Sequence, residues 1–169
     1  MTRTVLHQGR VGEFGLEQVR LPNGHEVTLE ILRHPGAAAV VPLHEDGTVT
    51  LIHQHRHAAG GRVWEIPAGK LDPGEDPDTC AARELAEEVG LAGTLRRLTT
   101  IHTTPAFTDE QIHLYVATGL VPVPDGLGED EILDPVRLPL DECLAMIRRG
   151  EVSDAKTICA LLMVAAERG

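Results

Sequence analysis

The stretch GKLDPGEDPDTCAARELAEEVGL, residues 69–91, decides how the rest of the chain is read. Its first part is rich in glycine and proline and shows neither a helical nor a strand period, so it reads as a loop continuing from WEIPAG, residues 64–69. Asp76 then has the chemistry of an N-cap, and Pro77 suits the first helical position, where a missing N–H costs nothing. Gly90 is a stop signal, so the helix is expected to run to about Val89. Ala82, Leu85, Ala86 and Val89 make an apolar stripe, which leaves Glu84, Glu87 and Glu88 together on the opposite side. That crowding is unfavourable: like charges at helical spacing cost about 0.2 to 0.5 kcal/mol per pair. Carboxylates in the last turn also meet the negative end of the helix dipole. A positive partner is expected there, and carboxylate oxygens on one helical face suit a hard divalent cation.

Working outward, the chain alternates strand-like segments with a few helices. EQVRLPNGHEVTLEIL, residues 17–32, places Asn23-Gly24 between two alternating runs, a strong hairpin signal. AAAVVPL (37–43) and VTLIHQHR (49–56) flank a tight turn at Asp46-Gly47. TLRRLTTIHTT (94–104) and QIHLYVATGL (111–120) read as strands separated by PAFTDE. After an acidic loop, VPVPDGLGEDE (121–131), come a short strand near LDPVRLP and two helices, roughly Leu140 to Arg149 and Ala155 to Glu167. The expected fold class is α/β, a three-layer α/β/α sandwich on a mixed sheet, with residues 1–36 as an N-terminal strand and hairpin segment and 37–169 as the main domain.

Composition narrows the function classes. The 169 residues carry a net charge of −11, which argues against general affinity for nucleic acid or anionic membranes and requires a local cation for any anionic substrate. The apolar run from Ile158 to Ala166 is too short to span a bilayer, and the N-terminal residues lack a secretory pattern. Cys80, Cys143 and Cys159 are odd in number and widely spaced, so free thiols in a cytoplasmic protein are expected. His53, His55 and His57 alternate along one strand face and invite a zinc reading, but no further histidine or cysteine motif completes such a site.

Gly69, Glu75, Arg83, Glu84, Leu85, Glu87, Glu88, Gly90 and Leu91 fit every fixed position of the Nudix box, and the chain resembles that family over roughly residues 10 to 165. The resemblance implies a metal-dependent hydrolase in which Mg²⁺ or Mn²⁺ is held by Glu84 and Glu88, with Glu87 and the backbone carbonyl of Ala68 as further ligands. Arg83 is then expected to orient carboxylates such as Glu87 and Glu75 through charge-assisted hydrogen bonds, and with Glu87 it belongs to the catalytic set. WEIPAG before the box and TTPAFTDE (103–110) after it resemble the ADP-ribose pyrophosphatase branch, whose marker proline corresponds to Pro105, although Ala106 stands where that branch usually has glycine. The implied substrate contacts are Arg56, Glu65, Pro105 and, for base stacking, Phe14. A catalytic glutamate on the late loop corresponds to Glu129, with Glu131 second and Asp130 between them. The N-terminal hairpin is similar to a segment exchanged between subunits, which implies a homodimer. Alternatives within the resemblance are a GDP-mannose-type or dinucleotide pyrophosphatase, and a non-catalytic nucleotide-sensing module.

Overall fold

Six consecutive small or β-branched residues, Ala37–Pro42, form strand β4, and all six are buried. An unbroken apolar run of this kind is what a strand covered on both faces requires. In the computed structural model, which describes residues 2–124, 126 and 133–168, β4 is the centre of the molecule. With strands numbered in chain order, it pairs antiparallel with β7 (Ala68–Lys70) and parallel with β9 (Gln111–Pro122), which in turn pairs antiparallel with β8 (Leu91–His102). The resulting mixed sheet has the order β7-β4-β9-β8. A second sheet, β10-β5-β6, is formed by Leu133–Pro139, Thr48–Arg56 and Gly61–Glu65. Helix α1 (Pro77–Val89) covers one face of the mixed sheet, packing Cys80, Ala81 and Leu85 on Ala38, Val40 and Tyr115. Helices α2 (Leu140–Arg149) and α3 (Ala155–Ala166) cover the other, where Cys143, Leu161 and Val164 meet Ala39, Val41 and Leu114. The expected three layers on a mixed sheet are therefore present.

The N-terminal segment forms its own antiparallel sheet in the order β1 (Thr2–Gln8), β2 (Glu13–Arg20) and β3 (Glu26–Arg33). Its Asn23-Gly24 turn is a five-residue connection, closed by Leu21 N–H on the His25 carbonyl at 2.8 Å, with Gly24 at φ 87°. It joins the body mainly at the end of β3: Leu32 N–H donates to the Phe107 carbonyl at 2.8 Å, and Arg33 pairs with Asp109 at 2.9 Å.

Two expectations are corrected. WEIPAG and the start of the box are not wholly loop, because β6 reaches Glu65 and β7 begins at Ala68. The strand period is hidden there because a charged Glu65, 3% exposed, stands on the buried side, and because β7 is only three residues long. The glutamates do not all face away from the core: Glu84 and Glu88 are 7% and 3% exposed, while Ala82 is exposed. The helix turns these two carboxylates toward β7, where Gly69 and the Ala68 N–H receive them.

Candidate functional site

Local signals place the helix that carries the site. The Asp76 carboxylate accepts from the N–H groups of Asp78 and Thr79, both at 3.0 Å, and Gly90 closes the other end in the left-handed region at φ 63°. One turn apart on its inner edge, Glu84 and Glu88 lie against β7. Ala68 N–H donates to Glu88 Oε2 at 2.8 Å. A Cβ on Gly69 would stand 2.7 Å from Glu84 Oε2 and closer still to Oε1 and Cδ, so the strand approaches this closely only because residue 69 has no side chain.

Arg83 organises the cluster. Its Nε and Nη2 each donate to Glu75 at 3.0 Å, its Nη1 donates to Glu84 at 2.5 Å and Glu87 at 3.1 Å, and its Nη2 reaches the Lys70 carbonyl at 3.1 Å. The guanidinium, together with the Asp72 N–H, pulls the Glu75 carboxyl down to about 2, and the carboxylates raise Arg83 in return. One guanidinium thus bridges three carboxylates, Glu75, Glu84 and Glu87, while Glu88 lies on the Ala68 N–H. Among the described residues no three acidic, histidine or cysteine side chains converge on one point. What the box offers is a buried pair of hard oxygen donors beside a strand backbone, a donor set that fits a divalent cation completed by further oxygens.

A second charged group lies beside the first. Arg56 grips Glu65 with two hydrogen bonds, 2.9 and 2.8 Å, and Lys156 donates to Glu65 Oε2 at 2.8 Å. Burial pushes the Glu65 carboxyl up, but Arg56 and Lys156 outweigh it and the net shift is downward. The N-terminus of α3 anchors the segment, since Thr157 Oγ1 accepts Ile66 N–H at 2.9 Å and is itself bonded to the N-cap Asp154. These groups border a cleft of 710 Å³ whose walls include Arg56, Ala68, Lys70, Lys156 and Glu110.

The cleft brings together some of the residues expected from sequence. Arg56 and Ala68 line it, Glu65 stands behind Arg56, and Glu84 and Arg83 line an adjoining cavity of 610 Å³ with Arg10 and Lys70. Phe14 does not reach the cleft of its own chain; it lies in β2 between His7 and Leu32. Pro105 sits in an exposed turn whose neighbours Thr103 and Thr104, not the proline, line the cleft. Glu129, Asp130 and Glu131 lie outside the described residues. Of the strand histidines, His53 stacks on Trp64 with centroids 4.3 Å apart. Burial raises Cys80 to about 12 and Cys143 to about 11, so neither is a ready nucleophile. Sequence reasoning missed Lys156, Lys70 and Glu110. A lone lysine two residues after the helix cap at Asp154 was the available signal for the first.

Comparison with known proteins agrees with this geometry. A family model described as the NUDIX domain matches residues 32–161. The chain is 42% identical over 159 residues to the methanol dehydrogenase activator of Bacillus methanolicus, covering 92% of this chain and 86% of that protein. It is 41% identical over 165 residues to the ADP-ribose pyrophosphatase of Mycobacterium tuberculosis, covering 95% and 80%. A crystal structure of an ADP compounds hydrolase shares the fold with a TM-score of 0.84 at 24% identity, covering 98% of this chain and 91% of that one.

Proposed function

The chain belongs to the Nudix family, and on that premise we propose that it hydrolyses the pyrophosphate linkage of ADP-ribose to AMP and ribose 5-phosphate, with Mg²⁺ or Mn²⁺ as its cation. The observation that carries this reading is the buried Glu84–Glu88 pair seated over Gly69, next to a cleft walled by Arg56, Lys70 and Lys156. Nudix hydrolases generally use divalent metal ions, and these two carboxylates, with Glu87 and the Ala68 carbonyl, are the groups that would hold one here. Bound there, the cation supplies charge neutralisation for the diphosphate and a more acidic water.

The chain's own residues do the rest. Arg56 and the cleft lysines take phosphate oxygens, and a guanidinium held by two hydrogen bonds to Glu65 keeps a fixed direction for doing so. Arg83 holds Glu75, Glu84 and Glu87 around one guanidinium and so fixes the direction of the Glu84 and Glu87 carboxylates. Glu129 acts as general base toward the attacking water, with Glu131 as the other choice. The flanks of that segment support the role. Gly126 N–H reaches the Glu87 carbonyl at 3.4 Å, and Leu133 pairs with Gln54, two residues before Arg56.

The same proposal includes a homodimer in the cytoplasm, in which Phe14 completes the neighbour's nucleotide pocket. Two features support pairing. The accessible surface is 9615 Å², against about 8,100 Å² for an 18.2 kDa monomer. Val5, Leu6 and Val11 on the N-terminal segment are 48%, 55% and 57% exposed. The cytoplasmic placement is supported by three free cysteines. A turnover panel with Mg²⁺ or Mn²⁺ tests the reaction, comparing ADP-ribose, GDP-mannose, UDP-glucose, NADH, diadenosine polyphosphates and 8-oxo-dGTP. ADP-ribose is expected to give the highest kcat/KM; a tenfold preference for another substrate would replace it.

A further inference from the structure

The β1–β2 turn, residues 9–12, is seated against the box by the chain's own contacts. Gly9 N–H donates to the Gly12 carbonyl at 3.0 Å. A Cβ on Gly12 would stand 3.2 Å from the Arg33 carbonyl carbon and nearer to its oxygen, so the turn packs tightly on the end of β3. Lys70 Nζ donates to the Arg10 carbonyl and ties the turn to β7. Turn and box border the 610 Å³ cavity, whose wall carries Arg10, Lys70, Arg83, Asp72 and Glu84. Arg83 is committed to Glu75, Glu84 and Glu87. Arg10 is exposed and, among the described residues, forms no ion pair, although Asp72 and Glu84 stand on the same wall. In a chain of net charge −11, an arginine left unneutralised beside a lysine is a local reversal of sign, suited to an anion.

Lys70 lines both this cavity and the 710 Å³ cleft, so the two adjoin at one ammonium. Glu84 is on the wall of the first and Ala68 on the wall of the second, which puts the groups that would hold the cation at their junction. A diphosphate held there meets Arg56 and Lys156 on the cleft side. A chain with one phosphate more continues past the junction, and Arg10 with Lys70 is the cationic pair on that side. A terminal phosphate offers several free oxygens, which suits the fork of a guanidinium. We propose that Arg10 and Lys70 form a subsite for a third phosphate, and that a nucleoside triphosphate binds across the junction and excludes the substrate. Turnover is then restrained by nucleoside triphosphate, a control that goes beyond the hydrolysis proposed above. Arg10 sets the selectivity for the third phosphate, since Lys70 serves both cavities.

Titration calorimetry of AMP, ADP and ATP at a fixed excess of Mg²⁺ reads the subsite directly. The parent should bind ATP about tenfold more tightly than ADP, the scale of one charge-assisted contact. Arg10→Gln should weaken ATP about tenfold while AMP and ADP stay within about twofold of the parent. Arg10→Lys, which keeps the charge but not the fork, should recover most of the loss. ATP should inhibit ADP-ribose hydrolysis competitively in the parent and about tenfold less in Arg10→Gln, with kcat and KM in the absence of ATP within about twofold. Parent affinities that do not rise from ADP to ATP would overturn the subsite. Unchanged ATP affinity in Arg10→Gln would send the third phosphate elsewhere, and an equal loss for all three nucleotides would show that the turn acts on the nucleoside; either result overturns the assignment. ATP that binds without raising the apparent KM for ADP-ribose would overturn it too. A parent inactive on ADP-ribose would refute the substrate reading, whereas the calorimetric series decides the subsite whether or not that reading holds.

Discussion

Gly69→Ala should leave the protein folded and nearly abolish turnover. Gly69 is the middle residue of β7, paired with Ala38, and it is not among the glycines with positive φ, so the backbone accepts an alanine. The added Cβ would sit 2.7 Å from Glu84 Oε2 and nearer to the other carboxylate atoms. Carbon contacts relax only near about 3.5 Å, and Oε1 and Cδ start closer than Oε2, so the carboxylate must retreat by more than about 1 Å. Glu84 can do this by rotating its side chain at a cost of about 0.5 to 1.5 kcal/mol. For a protein of this size that lowers Tm by no more than about 6 °C. The catalytic cost is larger, since a 1 Å misplacement of a positioned group costs about 100-fold, equivalent to about 2.7 kcal/mol. Thermal melts, kcat at saturating substrate and a metal titration separate the two effects, with a raised metal requirement expected. A variant turning over within threefold of the parent would refute the close approach. A collapse of Tm by 15 °C or more would show that the glycine serves the backbone and not Glu84.

Glu75 gives a pH prediction. Arg83 and the Asp72 N–H hold its carboxyl at about 2 against an unfolded value of 4.5, so its contribution to stability is fully present above pH 4.5 and is lost as pH falls toward 2. The difference in unfolding free energy between the parent and Glu75→Gln should therefore be flat above about pH 5 and shrink below it; a difference that grows on acidification would contradict the pairing. Deleting residues 1–36 should remove both dimer and activity, and a fully active monomer by light scattering would contradict a shared site. Glu129→Gln should lower kcat by about 10² to 10⁴ with little change in affinity for substrate or metal. If instead Glu131→Gln shows that loss, the base is Glu131, and two variants within threefold of the parent would leave water activation to the metal and the helix glutamates.

Helix α1 was legible because its signals are local: Asp76, Pro77 and Gly90 act on their own backbone, and the observed bounds, Pro77–Val89, follow from them. The parallel pairing of β4 with β9 leaves no such mark, since β4 is buried on both faces, as is most of the part of β9 that pairs with it, and such stretches read only as apolar runs. At the site, spacing put Glu84 and Glu88 on one edge of the helix. Their burial depends on how closely β7 approaches, a tertiary fact hidden in a single glycine. Glu65 illustrates the same limit. Its charge breaks the strand alternation, and its partner Lys156 lies 91 residues away. His34 and Glu110 are likewise joined only by the docking of β3 on the β8–β9 connection.

The most direct measurement is phosphorus NMR of ADP-ribose incubated with the protein and Mg²⁺, with and without excess chelator, alongside Glu88→Gln. Metal-dependent hydrolysis predicts that the diphosphate signals give way to two phosphomonoester signals, those of AMP and ribose 5-phosphate, that chelation stops the conversion, and that Glu88→Gln slows it by orders of magnitude while melting like the parent. Diphosphate signals that persist in the metal-loaded parent, or conversion unaffected by chelator, would contradict it.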